Sequence, residues 1–248
     1  MISFIVPAHN EERLLGRTLD SIHYTARLLS LTYELIVVDD GSTDGTAAVA
    51  ESQGCRVVRV SFRQISRTRN AGARVARGRI FVFVDADTVI GPATVRTAIE
   101  AIGAGAVGGG ADVEIDGRVP LWASLMLVVV GSFMRARRWA AGCFVFCSRA
   151  AFESAGGFDE GLFAAEEIAF SRRLKRLGRV VILRDPVTSS GRKLRTHSTW
   201  DLFRQWLTLL SRGPASLRSR ARLPFWYDER RDDPDSDIVS TSNRSDHS

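Results

Sequence analysis

Apolar positions in the first third of the chain come in short dense runs. "ISFIVPAH" starts at Ile2, "YELIVVDDGS" at Tyr33, "CRVVRVSF" at Cys55 and "IFVFVDADT" at Ile80. Between them, residues 14–29, 45–53 and 68–76 carry helical spacing. Runs that are apolar on both faces and joined by helices predict strands of a mostly parallel sheet covered on both sides, a Rossmann-like α/β class. In such sheets ligands bind at the carboxyl ends of the strands. Those ends carry His9-Asn10-Glu11-Glu12, Asp39-Asp40-Gly41-Ser42 and Asp85-Ala86-Asp87, so the polar chemistry gathers along one edge.

A helix over 92–102, with Pro92 at its first position, leads into "GAGAVGGGADVEI". Gly103, Gly105 and Gly108 there spell GxGxxG, but a dinucleotide fingerprint must follow a strand and open a helix. This one follows a helix and enters a strand. "GCFVFCSRAAFESAGGFDE" predicts a strand and a short helix. "EEIAFSRRLKRLG" predicts a helix with Ile168, Leu174 and Leu177 on one face and Gly178 as its stop, and "RVVILRD" a last strand. The segment 120–134, "PLWASLMLVVVGSFM", is apolar on every helical face and bracketed by Arg118 and Arg135. It falls short of the roughly 20 residues that span a bilayer. It reads either as a buried helix or as one that lies on a membrane or lines an apolar acceptor site. Residues 199–210 suggest an amphipathic helix through Trp200, Phe203, Leu207 and Leu210. The arginine and aromatic residues of 212–227 suit a peripheral membrane contact or a solvated tail.

Composition narrows the class. The 248 residues are 45% hydrophobic and 25% charged, an ordinary globular balance. Of the +6 net charge, residues 228–248 contribute −4 and residues 1–227 therefore +10. An Asp/Ser-rich disordered tail and a single basic domain over 1–227 are expected, with halves near 1–111 and 112–227. A basic domain favours an anionic partner such as a nucleoside diphosphate or a membrane surface. Nucleic acid is disfavoured, because no recognition module is visible. Cys55, Cys143 and Cys147 form no CxxC pair, which argues against zinc and against a disulfide framework. "MISFIVPAHNEE" lacks a basic leader, so a cytoplasmic protein is expected, with a peripheral contact at the inner face of the cell membrane.

The candidate chemistry centres on Asp85 and Asp87. In an extended chain they point to the same side, and their charges repel unless something positive, a divalent cation being the obvious candidate, sits between them; the alternative is that they cap a following helix, whose start signal at Gly91-Pro92 comes later. Glu166 and Glu167, at the start of a helix, read by themselves as acids that favour its positive end.

In order along the chain, "VPAHNEE", "VVDDGSTDGT", "RTRNAGARVARG", "DADT" and "GGFDE" followed by "EE" resemble the motifs of the family 2 glycosyltransferases, inverting hexosyltransferase-type enzymes of the GT-A fold. The resemblance covers about residues 1–183. It implies that Pro7, Ala8 and one of Asp39 and Asp40 line a nucleoside pocket, and that Arg69 serves the base or the diphosphate. It further implies that Asp85 holds ribose or sugar hydroxyls, and that Asp87 coordinates Mg²⁺ or Mn²⁺ as part of a DxD motif. The family usually presents its base in a Glu-Asp pair; here the pair is Glu166-Glu167, with Glu167 in the position of the base. His197 matches in order a metal-binding histidine, and "SSGRK" suggests that Arg192 and Lys193 contact the diphosphate. The implied partners are a nucleoside-diphosphate sugar and an acceptor hydroxyl, lipid-linked or membrane-associated.

Two rivals exist. "DADTV" fits the nucleophile motif of haloacid dehalogenase-like phosphatases, but that motif belongs to a first strand and needs a downstream Gly-Asp acidic pair that this chain lacks. A non-catalytic sugar-nucleotide or membrane-binding protein is the other, supported by the glutamate in place of aspartate.

Overall fold

The structure, a computed structural model, describes residues 1–117 and 121–192, without the side chains of 121–127. Lys193, His197, the segments 199–210 and 212–227 and the tail 228–248 lie outside the described residues.

The expected alternation of strands and helices is present. In chain order the elements are β1 (Ile2–Ala8), α1 (Glu12–Leu28), β2 (Tyr33–Asp40), α2 (Thr46–Ser52), β3 (Arg56–Val60), α3 (Ile65–Val75) and β4 (Ile80–Val84). They continue as β5 (Thr88–Val89), α4 (Pro92–Gly103), β6 (Ala106–Ile115), α5 (Leu121–Arg137), β7 (Phe144–Ser148), α6 (Arg149–Ala155), α7 (Glu166–Leu177) and β8 (Arg179–Ser189). One sheet takes the order β3-β2-β1-β4-β7-β6-β8-β5. Its first four strands are parallel, β7 runs against both β4 and β6, and β5 runs against β8. The 111/112 division falls inside β6, so one sheet joins strands from both expected halves.

Strand alternation builds two cores. Phe4, Val6, Val82, Val84, Phe144 and Phe146 face Leu15, Leu19 and Ile22 of α1 and Val95 of α4. Ile5, Phe81, Phe83, Val145 and Cys147 face Ala71, Phe152, Phe170 and Leu174 on the other side. Each fully buried large side chain contributes about 1.5–3 kcal/mol. The GxGxxG stretch runs from the end of α4 into β6, as its context requires, and a Cβ on its Gly108 would stand 2.5 Å from the Phe146 carbonyl oxygen of β7. A Cβ on Gly109 would stand 1.9 Å from the Val181 carbonyl oxygen, so only glycine allows β6 and β8 to pair there. The cysteines form no disulfide; burial pushes the Cys55 thiol up to about 11.

Three expectations need correction. First, α7 buries Phe170 and Leu174, an i, i+4 pair, while Leu177 is 45% exposed. Second, α5 is a helix as expected, but its described side chains are not buried: Val128, Val129 and Phe133 face solvent. Among the described residues no helix is long and apolar enough to cross a membrane. Third, β4 ends at Val84, and Asp85-Ala86-Asp87 is a turn closed by Thr88 N donating to Asp85 O at 3.0 Å. Strand alternation therefore does not relate the two aspartates; Ala86, buried in the core, anchors the turn between them.

Candidate functional site

The carboxyl ends of β1 and β2 carry two loops that are tied to each other. Asn10 N donates to Ser42 Oγ at 3.0 Å, and Thr43 N donates to Asn10 Oδ1 at 2.8 Å. Glu11 N donates to Thr46 Oγ1 at 2.8 Å, and Gly45 N donates to Glu12 Oε2 at 2.7 Å. Asn10 and Gly41 both adopt positive φ, 51° and 68°, and turn the chain back at these points. Pro7 and Ala8 lie in register with Val38 and Asp39 and form the floor between the loops.

Asp39 and Asp40 separate at this point. Asp40 is saturated: its carboxylate accepts from the backbone N–H groups of Phe62, Arg63 and Gln64 and from Thr68 Oγ1 at 2.7 Å. It splices the β3–α3 connection to β2. Asp39, among the described residues, accepts from Ser42 N at 3.1 Å. It is the member of the pair with acceptor capacity left for a base.

Arg69 forms the floor of the second half of the site. Its side chain is 2% exposed, with Nη1 donating to Glu166 Oε1 at 2.7 Å and Nη2 donating to Asp85 Oδ1 at 2.8 Å and to Gly142 O at 2.7 Å. Its Nε–H finds no partner, and the guanidinium lies 5.3 Å from the Phe158 ring centroid. Burial alone would lower its proton affinity, but the charges of Asp85, Glu166 and Glu167 outweigh it and hold the guanidinium cationic. The structure thus engages Arg69 with protein oxygens, whereas the motif resemblance pointed it at a base or diphosphate.

The positions of Glu166 and Glu167 follow from α3. Asn70 Nδ2 donates to Phe158 O at 2.9 Å and Phe158 N returns to Asn70 Oδ1 at 2.9 Å, while Gln64 Nε2 donates to Glu160 O at 2.7 Å. These bonds hold the "GGFDE" segment, and Ala165, at φ 58°, turns it into α7. Glu166 is then 4% exposed and paired with Arg69. Glu167 is half-buried beside Gly142, where a methyl group would stand 3.5 Å from the Glu167 carboxyl. Burial, reinforced by the Glu166 charge, pushes the Glu167 carboxyl well above the usual carboxylate range; Arg69 pulls the other way.

Arg192 closes the remaining side. Its Nη2 lies 3.0 and 3.1 Å from the two oxygens of buried Glu11 and 4.0 Å from Asp87 Oδ2. Helix α3 begins at Ile65, three positions before the expected residue 68, and no sequence motif marks Gly142, Cys143 or the Glu11–Arg192 pair as part of the site. Cys143 O accepts from Asp85 N at 3.1 Å, and burial, with Asp85 and Asp87 nearby, raises its thiol out of reactive range. No motif marks this loop; only the pairing of β7 with β4 brings it to the Asp85 turn.

Among the described residues no three His, Cys, Asp or Glu side chains gather as a metal centre. Asp85 and Asp87 are 33% and 16% exposed and offer two carboxylates on one turn. One or two carboxylates, completed by phosphate oxygens and water, are the ordinary donor set for Mg²⁺. The residues fit a cation that arrives with its substrate.

A parallel sheet with paired nucleotide-type loops, an acidic turn after its fourth strand and antiparallel strands beyond it defines the GT-A class of fold. The chain belongs to glycosyl transferase family 2, whose family model matches residues 3–161. It is 32% identical over 107 residues to validoxylamine A glucosyltransferase of Streptomyces hygroscopicus subsp. jinggangensis, covering 41% of this chain and 25% of that one. It is 39% identical over 99 residues to dolichyl-phosphate beta-glucosyltransferase of Drosophila melanogaster, covering 35% and 30%. The chain thus spans under a third of the length of these relatives. Glucosyl-3-phosphoglycerate synthase from Mycobacterium tuberculosis, solved with Mn²⁺, uridine diphosphate and glucosyl-3-phosphoglycerate, superposes with TM-score 0.59. The match has 25% identity and covers 86% of this chain and 79% of that one.

Proposed function

We propose that this chain is a metal-dependent inverting glycosyltransferase that moves a sugar from a nucleoside-diphosphate sugar to an acceptor hydroxyl. The observation that carries the reading is the Arg69 junction, which ties the acidic turn at Asp85 to Glu166 and so to the Glu166-Glu167 pair. Pro7, Ala8 and Asp39 line the base and ribose side. Asp85 and Asp87 would hold a Mg²⁺ or Mn²⁺ ion, as the Mn²⁺ in the mycobacterial structure suggests. Such an ion stabilises negative charge on a leaving diphosphate. Glu167, raised in proton affinity and half-buried beside Gly142, takes the acceptor proton while Glu166 stays paired with Arg69. A lipid-linked acceptor is favoured by the dolichyl-phosphate enzyme among the relatives. Lys193 and His197, from the motif resemblance, complete the proposed basic and metal contacts.

The test is thermal stabilisation by nucleoside diphosphates with and without Mn²⁺, because a ligand that prefers the folded state raises the melting temperature. Asp87→Ala should fold normally and lose the Mn²⁺-dependent part of the shift. Equal shifts in variant and wild type would refute the metal role.

A further inference from the structure

The apolar helix α5 takes no part in the proposed site. Val128, Val129 and Phe133 are 64%, 61% and 48% exposed, and Ser132 and Ala136 beside them are exposed too. At about 100° per residue these five positions fill one stripe roughly 140° wide. Arg135 and Arg137 border it on opposite sides. Arg135 reaches Asp112 at 2.9 Å, while Arg137 lies over the rings of Phe133 and Trp139, 5.1 and 5.8 Å from their centroids. Arg172 of α7 covers Trp139 at 4.7 Å, and Arg138, Lys175 and Arg176 are exposed nearby. The charge is one-sided over long stretches: no Asp or Glu occurs from Arg118 to Phe152, or from Ile168 to Arg184.

We propose that this face docks on an anionic lipid bilayer. Val128, Val129 and Phe133 enter the headgroup boundary, and Arg137, Arg138, Lys175 and Arg176 meet the lipid phosphates. Charge decides the occupant, since a second copy would set like charges against one another, whereas an anionic bilayer supplies the missing sign. The position has a consequence for the site. Gly142, whose carbonyl binds Arg69 and which adjoins Glu167, lies five residues beyond the end of α5. A docked α5 holds the acceptor side of the cleft at the membrane. The docking stands by itself; its purpose, delivery of a lipid-linked acceptor, rests on the proposed function.

The full chain is floated with vesicles of phosphatidylcholine alone and of phosphatidylcholine mixed with phosphatidylglycerol, at low salt and at about 1 M salt, where charges are screened beyond roughly 3 Å. Binding is expected to the anionic vesicles at low salt only. Each cation removed should weaken it about fivefold. Arg137→Gln/Arg138→Gln/Arg176→Gln should therefore lose about 10²-fold, and Val128→Ser/Phe133→Ser at least tenfold. Both variants should keep the nucleoside-diphosphate melting shift, which reports the donor site alone. No binding by wild type at low salt overturns the proposal, as does binding unchanged in both variants, which would move it to the arginines of 212–222. A dimer that Val128→Ser/Phe133→Ser dissociates would assign the stripe to a second copy instead.

Discussion

Arg69→Met tests the junction on which the site is built. The substitution keeps a long side chain of similar bulk but removes the guanidinium between Glu166 and Asp85. Glu166, with 6% of its side chain exposed, then holds a charge with its 2.7 Å partner gone. Removing one member of a buried ion pair costs about 3–5 kcal/mol. Asp85 is 33% exposed and rehydrates, so its lost bond adds little. The Gly142 carbonyl loses one neutral acceptor contact, worth about 0.5–1.5 kcal/mol. A total of about 5 kcal/mol is expected, read as a lower urea midpoint at unchanged slope. Adding Glu166→Gln to Arg69→Met removes the stranded charge and should restore at least half of that loss. A cost below about 1 kcal/mol for Arg69→Met, or no recovery in the double variant, would refute the view that the pair is buried and mutually dependent.

Glu167→Gln should lower transfer by roughly 10²–10⁴-fold with the donor melting shift intact, and Glu166→Gln by less; the reverse ranking in a transfer assay would move the base to Glu166. Glu167 also has a pH signature. Its folded-state proton affinity is raised, so the native state keeps a proton that the unfolded chain releases, and stability falls as pH rises above the usual carboxylate value. Glu167→Gln abolishes that fall, and its melting temperature should exceed wild type at pH 8 and approach it at pH 4. Asp40→Asn, with its amide nitrogen in place of Oδ2, leaves the Gln64 N–H without an acceptor, while Thr68 Oγ1 keeps the Gln64 carbonyl, and should cost roughly 1–3 kcal/mol in denaturant unfolding. Asp39→Asn should keep stability within about 1 kcal/mol of wild type and lose nucleoside-diphosphate binding. Gly109→Ala should fail to fold or unfold far earlier on heating, since its methyl group would overlap the Val181 carbonyl.

The chain's pattern was enough to determine the strand and helix rhythm, the two-sided burial of the sheet and the edge on which the polar residues collect. These are local properties. Continuous burial on both faces is written directly into Ile2–Ala8, Tyr33–Asp40 and Ile80–Val84, and loops after parallel strands must share one edge. Ordered motifs likewise made the family legible. Partnership was not legible. Asp39 and Asp40 are equal as letters, and only the β3–α3 connection, folding back over Asp40 with four donors, divides them into a saturated acid and an available one. The position of Arg69 in a helix shows its charge but not its depth; packing of α3 against β1 and β2 buries it against Asp85 and Glu166. The exposure of α5 is the same lesson reversed. An apolar run normally ends in a core, but both faces of the sheet are already filled by other helices, so tertiary packing leaves Val128, Val129 and Phe133 outside.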